Sequence, residues 1–408
     1  MKKKYKIMIV FFELETIIEY SGSDYIYLKI DAEDKFEVKN ACYSNLENNY
    51  NINTNKSVKN DVHLSINICT YKRNKEVMNL VNTLYHSSFF DPSSNYHNKM
   101  TIHIVDNGAE LSNDTLPTHN NIFLHYNKNT GGSGGFKRGM EEIRRLEFCV
   151  HTTHVVLMDD DVELIPESLY RLFALLSFMK VEYKENAIAG RMFRIDDRKT
   201  QYTAVEIWNK GNLQHIGYMQ DMTKTENLNQ VNNNCGGEYG GWWLCCYPIK
   251  YVEFNDPLPF FIHCDDVEYG LRHNNTPIIL NGIQVWHETY EHRQTPIIAY
   301  YDTRNSLYVN EIYGTLDEPE ELLKKWKKTI SKLHLKKDFI TEYMVILGFY
   351  DYCKGLQWLN KIDPNKKHLH LTKTKQNKMK NSILWRLAEW KFKHKNKFIR
   401  GSKNVSRQ

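Results

Sequence analysis

The sequence predicts an α/β fold on a mostly parallel sheet. Two observations carry this. From residue 61 onward, apolar runs of strand length alternate with segments of helical periodicity. The polar clusters 70–73, Asp106, Asn129 and 159–161 follow apolar strands, where ligands of such sheets sit.

Residues 63–69 read as a buried strand, and Val77, Leu80, Val81 and Leu84 then recur at helical spacing. A second strand, 100–105, ends at Asp106-Asn107-Gly108. A third, with Ile122, Phe123, Leu124 and Tyr126, ends at Asn127. A glycine-rich turn leads into a helix carrying Phe136, Met140, Ile143 and Leu146. A fourth strand, 155–158, ends in Asp159-Asp160-Asp161. Pro166 suits a helix start, and Leu169, Leu172, Phe173 and Leu176 give that helix its apolar face. Residues 260–264 read as another apolar strand, ending in Asp265-Asp266. Beyond about residue 300 the pattern turns helical, in stretches at 320–333, 339–359 and 382–399.

Three regions are expected. They are a small β-rich N-terminal region (1–60), the α/β core (61–305) and a helical, basic C-terminal region (306–408). Residues 25–30 alternate loosely, as strands do, and the Asn-rich 45–56 reads as a linker.

Apolar residues make up 41% and charged residues 25%, the balance of a globular chain, which excludes collagen-like, disulfide-stapled and wholly disordered classes. The apolar run at 7–12 falls far short of the roughly 20 residues that cross a bilayer. Met1-Lys2-Lys3-Lys4 looks like the start of a signal peptide, but no small-residue cleavage site follows, so a cytosolic start is expected. The cysteines contain no CxxC and read as free thiols in a reducing compartment.

The total charge of +5 is unevenly placed. Residues 361–408 hold 15 Lys/Arg against Asp363 and Glu389, a net of +13, which leaves −8 on the rest. The acidic body argues against nucleic acid as its partner, whereas the basic end suits an anionic surface.

Five features can carry chemistry. The adjacent carboxylates Asp159, Asp160 and Asp161 repel one another, and a loop that gathers them offers them to a cation. In extended backbone Asp159 and Asp161 point the same way and can share a metal. The turn from Asn129 through Gly131, Gly132, Gly134 and Gly135 allows close backbone approach, and the helix start after it favours phosphate. Trp242-Trp243 is costly to expose, so one indole belongs to the core while the other can offer its face to a sugar ring. Asp265-Asp266 can split roles, one oriented by hydrogen bonds and the other a base. His287, after Val285-Trp286, completes with Asp159 and Asp161 a donor set compatible with Mn²⁺ or Mg²⁺. Each has a plainer reading: an acidic turn, a flexible loop, a packed core, a helix cap, a structural histidine.

The serial order of these motifs resembles family 2 glycosyltransferases of the GT-A fold. The GGSGGFxRG, MDDD, WW, DDxxYGLR and VWH phrases look most like bacterial galactofuranosyltransferases that use UDP-galactofuranose. The match spans about residues 62–305, and residues 1–60 are shorter than the N-terminal domain of the polymerising members. The resemblance implies that Thr70, Arg73 and Asp106 line the uridine pocket, and that Asn129, Gly131 and Gly132 face the ribose and diphosphate. It further implies Asp160 on the donor side, Asp159, Asp161 and His287 around Mn²⁺ or Mg²⁺, Trp242 and Trp243 under the acceptor sugar, and Asp266 as base with Asp265 beside it. The expected reaction is inverting, metal-dependent transfer of galactofuranose to a glycan acceptor, lipid-linked and at the inner membrane face, where residues 361–408 would attach the protein. The alternatives are a rhamnosyl or glucosyl donor, a nucleotidyltransferase, or a glycan-binding protein on the same fold.

Overall fold

The computed structural model describes residues 60–146, 151–224, 226–227, 236–289, 295–374 and 378–405. The strands expected near 25–30 and the linker at 45–56 lie outside those residues. Strand β1 (Leu64–Thr70) is buried nearly throughout and leads to helix α1 (Asn74–Tyr85), which turns Val77, Leu80, Val81 and Leu84 to the sheet. Then come β2 (Met100–Asp106), β3 (Ile122–Tyr126), α2 (Gly131–Leu146), β4 (His154–Asp159) and α3 (Pro166–Phe178), with proline in the first turn of α3. Short strands follow: β5 (Ile188–Ala189), β6 (Arg191–Arg194), β7 (Thr200–Thr203), β8 (Val205–Asn209), β9 (Asn212–Ile216), β10 (Gln220–Asp221) and β11 (Cys245–Pro248).

The main sheet has the order β3-β2-β1-β4-β11-β5. Strands β1 to β4 are parallel, while β11 runs antiparallel to β4 and to β5. This is the Rossmann-like α/β core that the alternation predicted. After α4 (Ile249–Phe254) and α5 (Asp265–His273) comes β12 (Gln284–His287), parallel to β6 in a second sheet of order β10-β7-β6-β12.

Two local expectations change. The glycines from Gly131 do not form a turn ahead of the helix, because α2 starts at Gly131 itself. Their smallness serves close packing on β1: a Cβ on Gly135 would lie 2.1 Å from Cys69 Sγ. Residues 260–264 are not a strand but a bent segment, with Phe261, His263 and Cys264 all at positive φ (78°, 64° and 63°).

The C-terminal part is α6 (Pro296–Ile312), α7 (Pro319–Leu335), α8 (Phe339–Tyr352), α9 (Leu356–Leu359), α10 (Pro364–Thr372) and α11 (Lys378–Val405). The single stretch expected at 339–359 breaks at Gly355, where φ is 85°. These helices belong to the same compact unit as the sheet.

The apolar strip of α11 is not one surface. Phe392 and Ala388 are fully buried in a cluster with Phe349, Tyr352 and Leu359, and Leu384 and Trp385 pack on its margin. Lys395 bonds Glu311 at 2.6 Å and lies 4.0 Å from the Tyr352 ring centre. The side chains left exposed are Ile383, Leu387 and Trp390, spaced along one helical face. Cutting the chain after Lys380 would therefore remove core as well as surface. Phe392→Ala is expected to cost about 3–5 kcal/mol in denaturant unfolding. Trp390→Ala, at the exposed face, is expected to stay within about 0.5 kcal/mol of the parent.

Candidate active site

Parallel register assembles the first half of the site. Thr70 pairs with Asp106 across β1 and β2, and Cys69 pairs with Asp159 across β1 and β4. Three strand ends thus deliver their polar residues to one edge of the sheet. Burial pushes the Cys69 thiol well up, and the nearby charges of Asp160, Asp159, Asp265 and Asp106 push it further, so these carboxyls surround one point.

Asp159, Asp161 and His287 come from different sheets. A backbone bridge joins them: Glu163 N–H donates to Trp286 O at 2.8 Å, and Trp286 N–H returns to Glu163 O at 2.9 Å. His287 Nε2 then lies 2.9 Å from Asp161 Oδ1 and 3.9 Å from Asp159 Oδ2. One ligand atom from each of the three residues falls within 4.8 Å of the others. Two carboxylate oxygens and one imidazole nitrogen at that spacing fit a small divalent cation such as Mn²⁺ or Mg²⁺. Arg73 reaches Asp160 Oδ1 at 3.2 Å and also pairs with Asp161. Burial pushes the Asp160 carboxyl up to about 7.

The acid pair opens α5, directly after the three left-handed residues. Asp265 is buried, and its Oδ2 lies 3.5 Å from where a Cβ on Gly132 would stand, so it faces the first turn of α2. Gly131 has a φ of 73°, and a side chain there would collide with Phe261 O. Ser133 stitches the same contact: Phe261 N–H donates to its Oγ at 2.9 Å. Burial pushes Asp265 up to about 6. Burial, then the charges of Asp265 and Glu206, push Asp266 well above the usual carboxylate range.

Three contributors were not singled out in the sequence. Arg304 Nη2 donates to Phe260 O at 2.6 Å, and Asn305 Nδ2 donates to Ile262 O and His263 O, each at 2.9 Å. Both side chains are buried, and together they clamp the strained segment that aims the acids. Their signal was a polar pair among the apolar neighbours Tyr300, Tyr301, Leu307 and Tyr308. Glu206 is buried and held by Tyr239 Oη and His215 Nδ1, each at 2.7 Å.

Other expected residues have structural partners of their own. Asp106 accepts four backbone N–H bonds, from Gly108, Ala109, Glu110 and Leu111 at 2.7–3.0 Å. Its carboxylate shapes the turn after β2. Asn129 Oδ1 caps α2 through Gly131 N–H at 3.1 Å. Thr70 is buried at the end of β1. The open tryptophan platform is absent. Trp243 is 1% exposed and donates to Gly190 O at 2.8 Å, and Trp242 is 4% exposed between Phe136 and Tyr269. Apolar burial of two indoles outweighs a surface role in this conformation.

Comparison with known proteins bears on this geometry. The chain is similar to galactofuranosyltransferases. It is 28% identical to galactofuranosyltransferase GlfT2 of Mycolicibacterium smegmatis over 210 residues, 47% of this chain and 32% of that one. Against GlfT2 of Mycobacterium tuberculosis it is 30% identical over 206 residues, 46% of this chain and 31% of that one. The alignments thus cover about a third of the length of these relatives. No family model matches. Mannosyl-3-phosphoglycerate synthase from Rubrobacter xylanophilus aligns over 63% of this chain and 77% of its own, at 11% identity and a TM-score of 0.36, a likeness too slight to carry an argument.

The raised carboxyl of Asp266 has a consequence for stability. The unfolded chain ionises near the ordinary value of about 3.9, below the folded one. Folding therefore loses stability as pH rises through that interval. Asp266→Asn removes the loss, so its melting temperature is expected to match the parent near pH 4 and to exceed it increasingly toward pH 8. A scan of thermal unfolding against pH checks the sign.

Proposed function

We propose that this protein is a glycosyltransferase that moves galactofuranose from UDP-galactofuranose to a glycan acceptor with inversion. One observation carries the reading. The oxygen and nitrogen atoms of Asp159, Asp161 and His287 lie within 4.8 Å of one another, beside a second, separate pair of carboxyls with raised pKa. Similarity to galactofuranosyltransferases supports the choice of sugar.

Asp159, Asp161 and His287 would hold a divalent cation. Such an ion supplies positive charge against a diphosphate leaving group. Arg73 adds a guanidinium beside Asp161. Asp160 and Thr70 complete the donor side, behind Arg73.

Asp266 takes the proton of the acceptor hydroxyl. Burial pushes the Asp266 carboxyl well above the usual carboxylate range, and a carboxylate so raised is a stronger base than an ordinary one once ionised. As the C1–O bond to the diphosphate breaks, the sugar acquires oxocarbenium character and the acceptor oxygen attacks the opposite face. The leaving electrons go to the diphosphate and the proton stays on Asp266, so no covalent enzyme intermediate is needed. Asp265, facing α2, keeps the donor and acceptor halves in register. The buried Trp242 and Trp243 support the acceptor side from beneath by packing against Tyr269 of α5 and against Gly190.

A lipid-linked acceptor at an anionic membrane face is part of the proposal. Ile383, Leu387 and Trp390 stand exposed on a basic helix, the composition of an interfacial surface. No described helix is long and apolar enough to cross a membrane.

The reading is tested with purified protein, UDP-galactofuranose, Mn²⁺ and a galactofuranosyl disaccharide. UDP release that needs the acceptor is expected, and a donor panel that instead prefers a rhamnosyl or glucosyl nucleotide would reassign the sugar. Asp161→Ala and excess EDTA are each expected to abolish transfer. Asp266→Asn is expected to bind UDP normally yet turn over at least ~100-fold more slowly. A rate within a few-fold of the parent would move the base to Asp265. For the membrane, Leu387→Glu/Trp390→Glu is expected to lose sedimentation with phosphatidylserine vesicles while keeping full transfer to the soluble disaccharide.

A further inference from the structure

The tryptophan pair is buried, yet the strands around the second sheet carry an exposed aromatic ring of their own. Tyr218 sits in the three-residue turn between β9 and β10 and is 49% exposed. Gly217 and Met219 on either side have positive φ, 65° and 53°, and the buried Gln201 side chain donates to Gly217 O at 2.8 Å. The turn is thereby held from β7. The ring is held as well. It stacks on His215, with centroids 5.2 Å apart and planes at 20°, and Tyr202 meets it edge-on at 5.4 Å. An aromatic ring that is fixed without being covered can receive a flat partner at little ordering cost.

Strand register relates this ring to the candidate metal ligands. Trp286 pairs with Phe193 across β12 and β6, and Phe193 pairs with Gln201 across β6 and β7. These three share one face of the second sheet, where the rings of Phe193 and Trp286 lie 5.9 Å apart. The residues that follow them, His287, Arg194 and Tyr202, therefore share the opposite face. Two strand spacings, about 10 Å, separate the strand of His287 from that of Tyr202. The acid pair borders the same ground. His215 Nδ1 lies 2.7 Å from Glu206, whose charge adds, after burial and Asp265, to the rise of the Asp266 carboxyl. Arg194 stands in the strand between. Its guanidinium contacts Met219 Sδ at 3.7 Å and bonds Asp196 through two nitrogens, at 3.0 and 2.7 Å. The Asp196 side chain is 63% exposed, so its oxygens keep room for further donors.

We propose that Tyr218 is a platform for a neutral sugar unit of the acceptor chain, beyond the unit that reacts, with Arg194 and Asp196 as its hydroxyl partners. The assignment rests on the transferase reading above and adds where the acceptor continues past the acid pair. The C–H face of a sugar packs on the open ring, and its hydroxyls donate to Asp196 and accept from Arg194. An alkyl chain would gain the ring but has nothing to offer the ion pair beside it. The donor's base is set apart, because Thr70 on its expected path ends β1 of the first sheet. A long acceptor engages both the acid pair and the platform, which raises its effective concentration at the reacting end, whereas a short one engages the acid pair alone.

The test uses Tyr218→Ala, which removes the platform, and Tyr218→Phe, which keeps it. Binding of a galactofuranosyl hexasaccharide to the full chain is read by saturation-transfer NMR without donor, and transfer from UDP-galactofuranose is measured with the hexasaccharide and with the disaccharide. Tyr218→Ala is expected to raise KM for the hexasaccharide about ten-fold and to weaken its binding equally. Its kcat, its KM for UDP-galactofuranose and all disaccharide kinetics are expected to stay unchanged, and Tyr218→Phe is expected to match the parent throughout. Unchanged hexasaccharide binding in Tyr218→Ala overturns the platform, as does a parent that binds no hexasaccharide. A rise confined to KM for UDP-galactofuranose also overturns it, by putting a nucleotide base on the ring. If the parent transfers nothing from UDP-galactofuranose yet Tyr218→Ala loses the hexasaccharide binding that the parent and Tyr218→Phe show, the catalytic reading falls and the saccharide platform stands.

Discussion

Crowded negative charge is the constraint on which the site depends. Asp159, Asp160, Asp161, Asp265 and Asp266 converge on one edge of the sheet, where two like charges 4 Å apart repel by about 4 kcal/mol at an effective dielectric near 20. The chain answers in three ways. Arg73 pairs with Asp160 and Asp161, and His287 meets Asp161 from the second sheet. Burial, with the neighbouring carboxylates behind it, also makes ionisation harder and pushes Asp160 up to about 7 and Asp265 up to about 6. A region built this way gathers donor atoms that could hold a cation at one end and carboxyls that keep their protons to higher pH at the other. Both properties follow from the same burial.

The acid pair is held under backbone strain. Three consecutive-turn residues without glycine, Phe261, His263 and Cys264, adopt the left-handed region, at a cost of order 1–3 kcal/mol each. Contacts from two directions offset it. Ser133 at the start of α2 binds Phe261, while Arg304 and Asn305 of α6 hold the carbonyls of Phe260, Ile262 and His263. The C-terminal helices are therefore part of the frame that holds the acid pair. α8 packs behind Phe261, and α11 packs behind α8 through Phe392 and Ala388. This explains why a lysine-rich, outwardly polar segment buries a fully enclosed phenylalanine.

The sequence by itself determined the alternation of strand and helix, the parallel core, the positions of the strand ends and the identity of the polar residues there. Those properties are local or periodic: an apolar run closed by Asp159-Asp160-Asp161 reads the same in any context. It also placed Asp265-Asp266 and His287 as candidates, because carboxylates and imidazole at the ends of apolar segments are costly without a task. Only the tertiary structure decided what those residues touch. That His287 meets Asp161 depends on a bridge between two sheets, and that Asp106 is consumed by its own turn depends on the loop path after β2. The tryptophan pair went inside because the packing of Phe136, Tyr269 and Gly190 offered both indoles a wall, which no dipeptide can announce. The segment before Asp265 looked like a strand because its residues are apolar. It is a bend because Arg304 and Asn305, some forty residues further on, take its carbonyls, and hydrogen bonds at that separation leave no periodic mark in the chain.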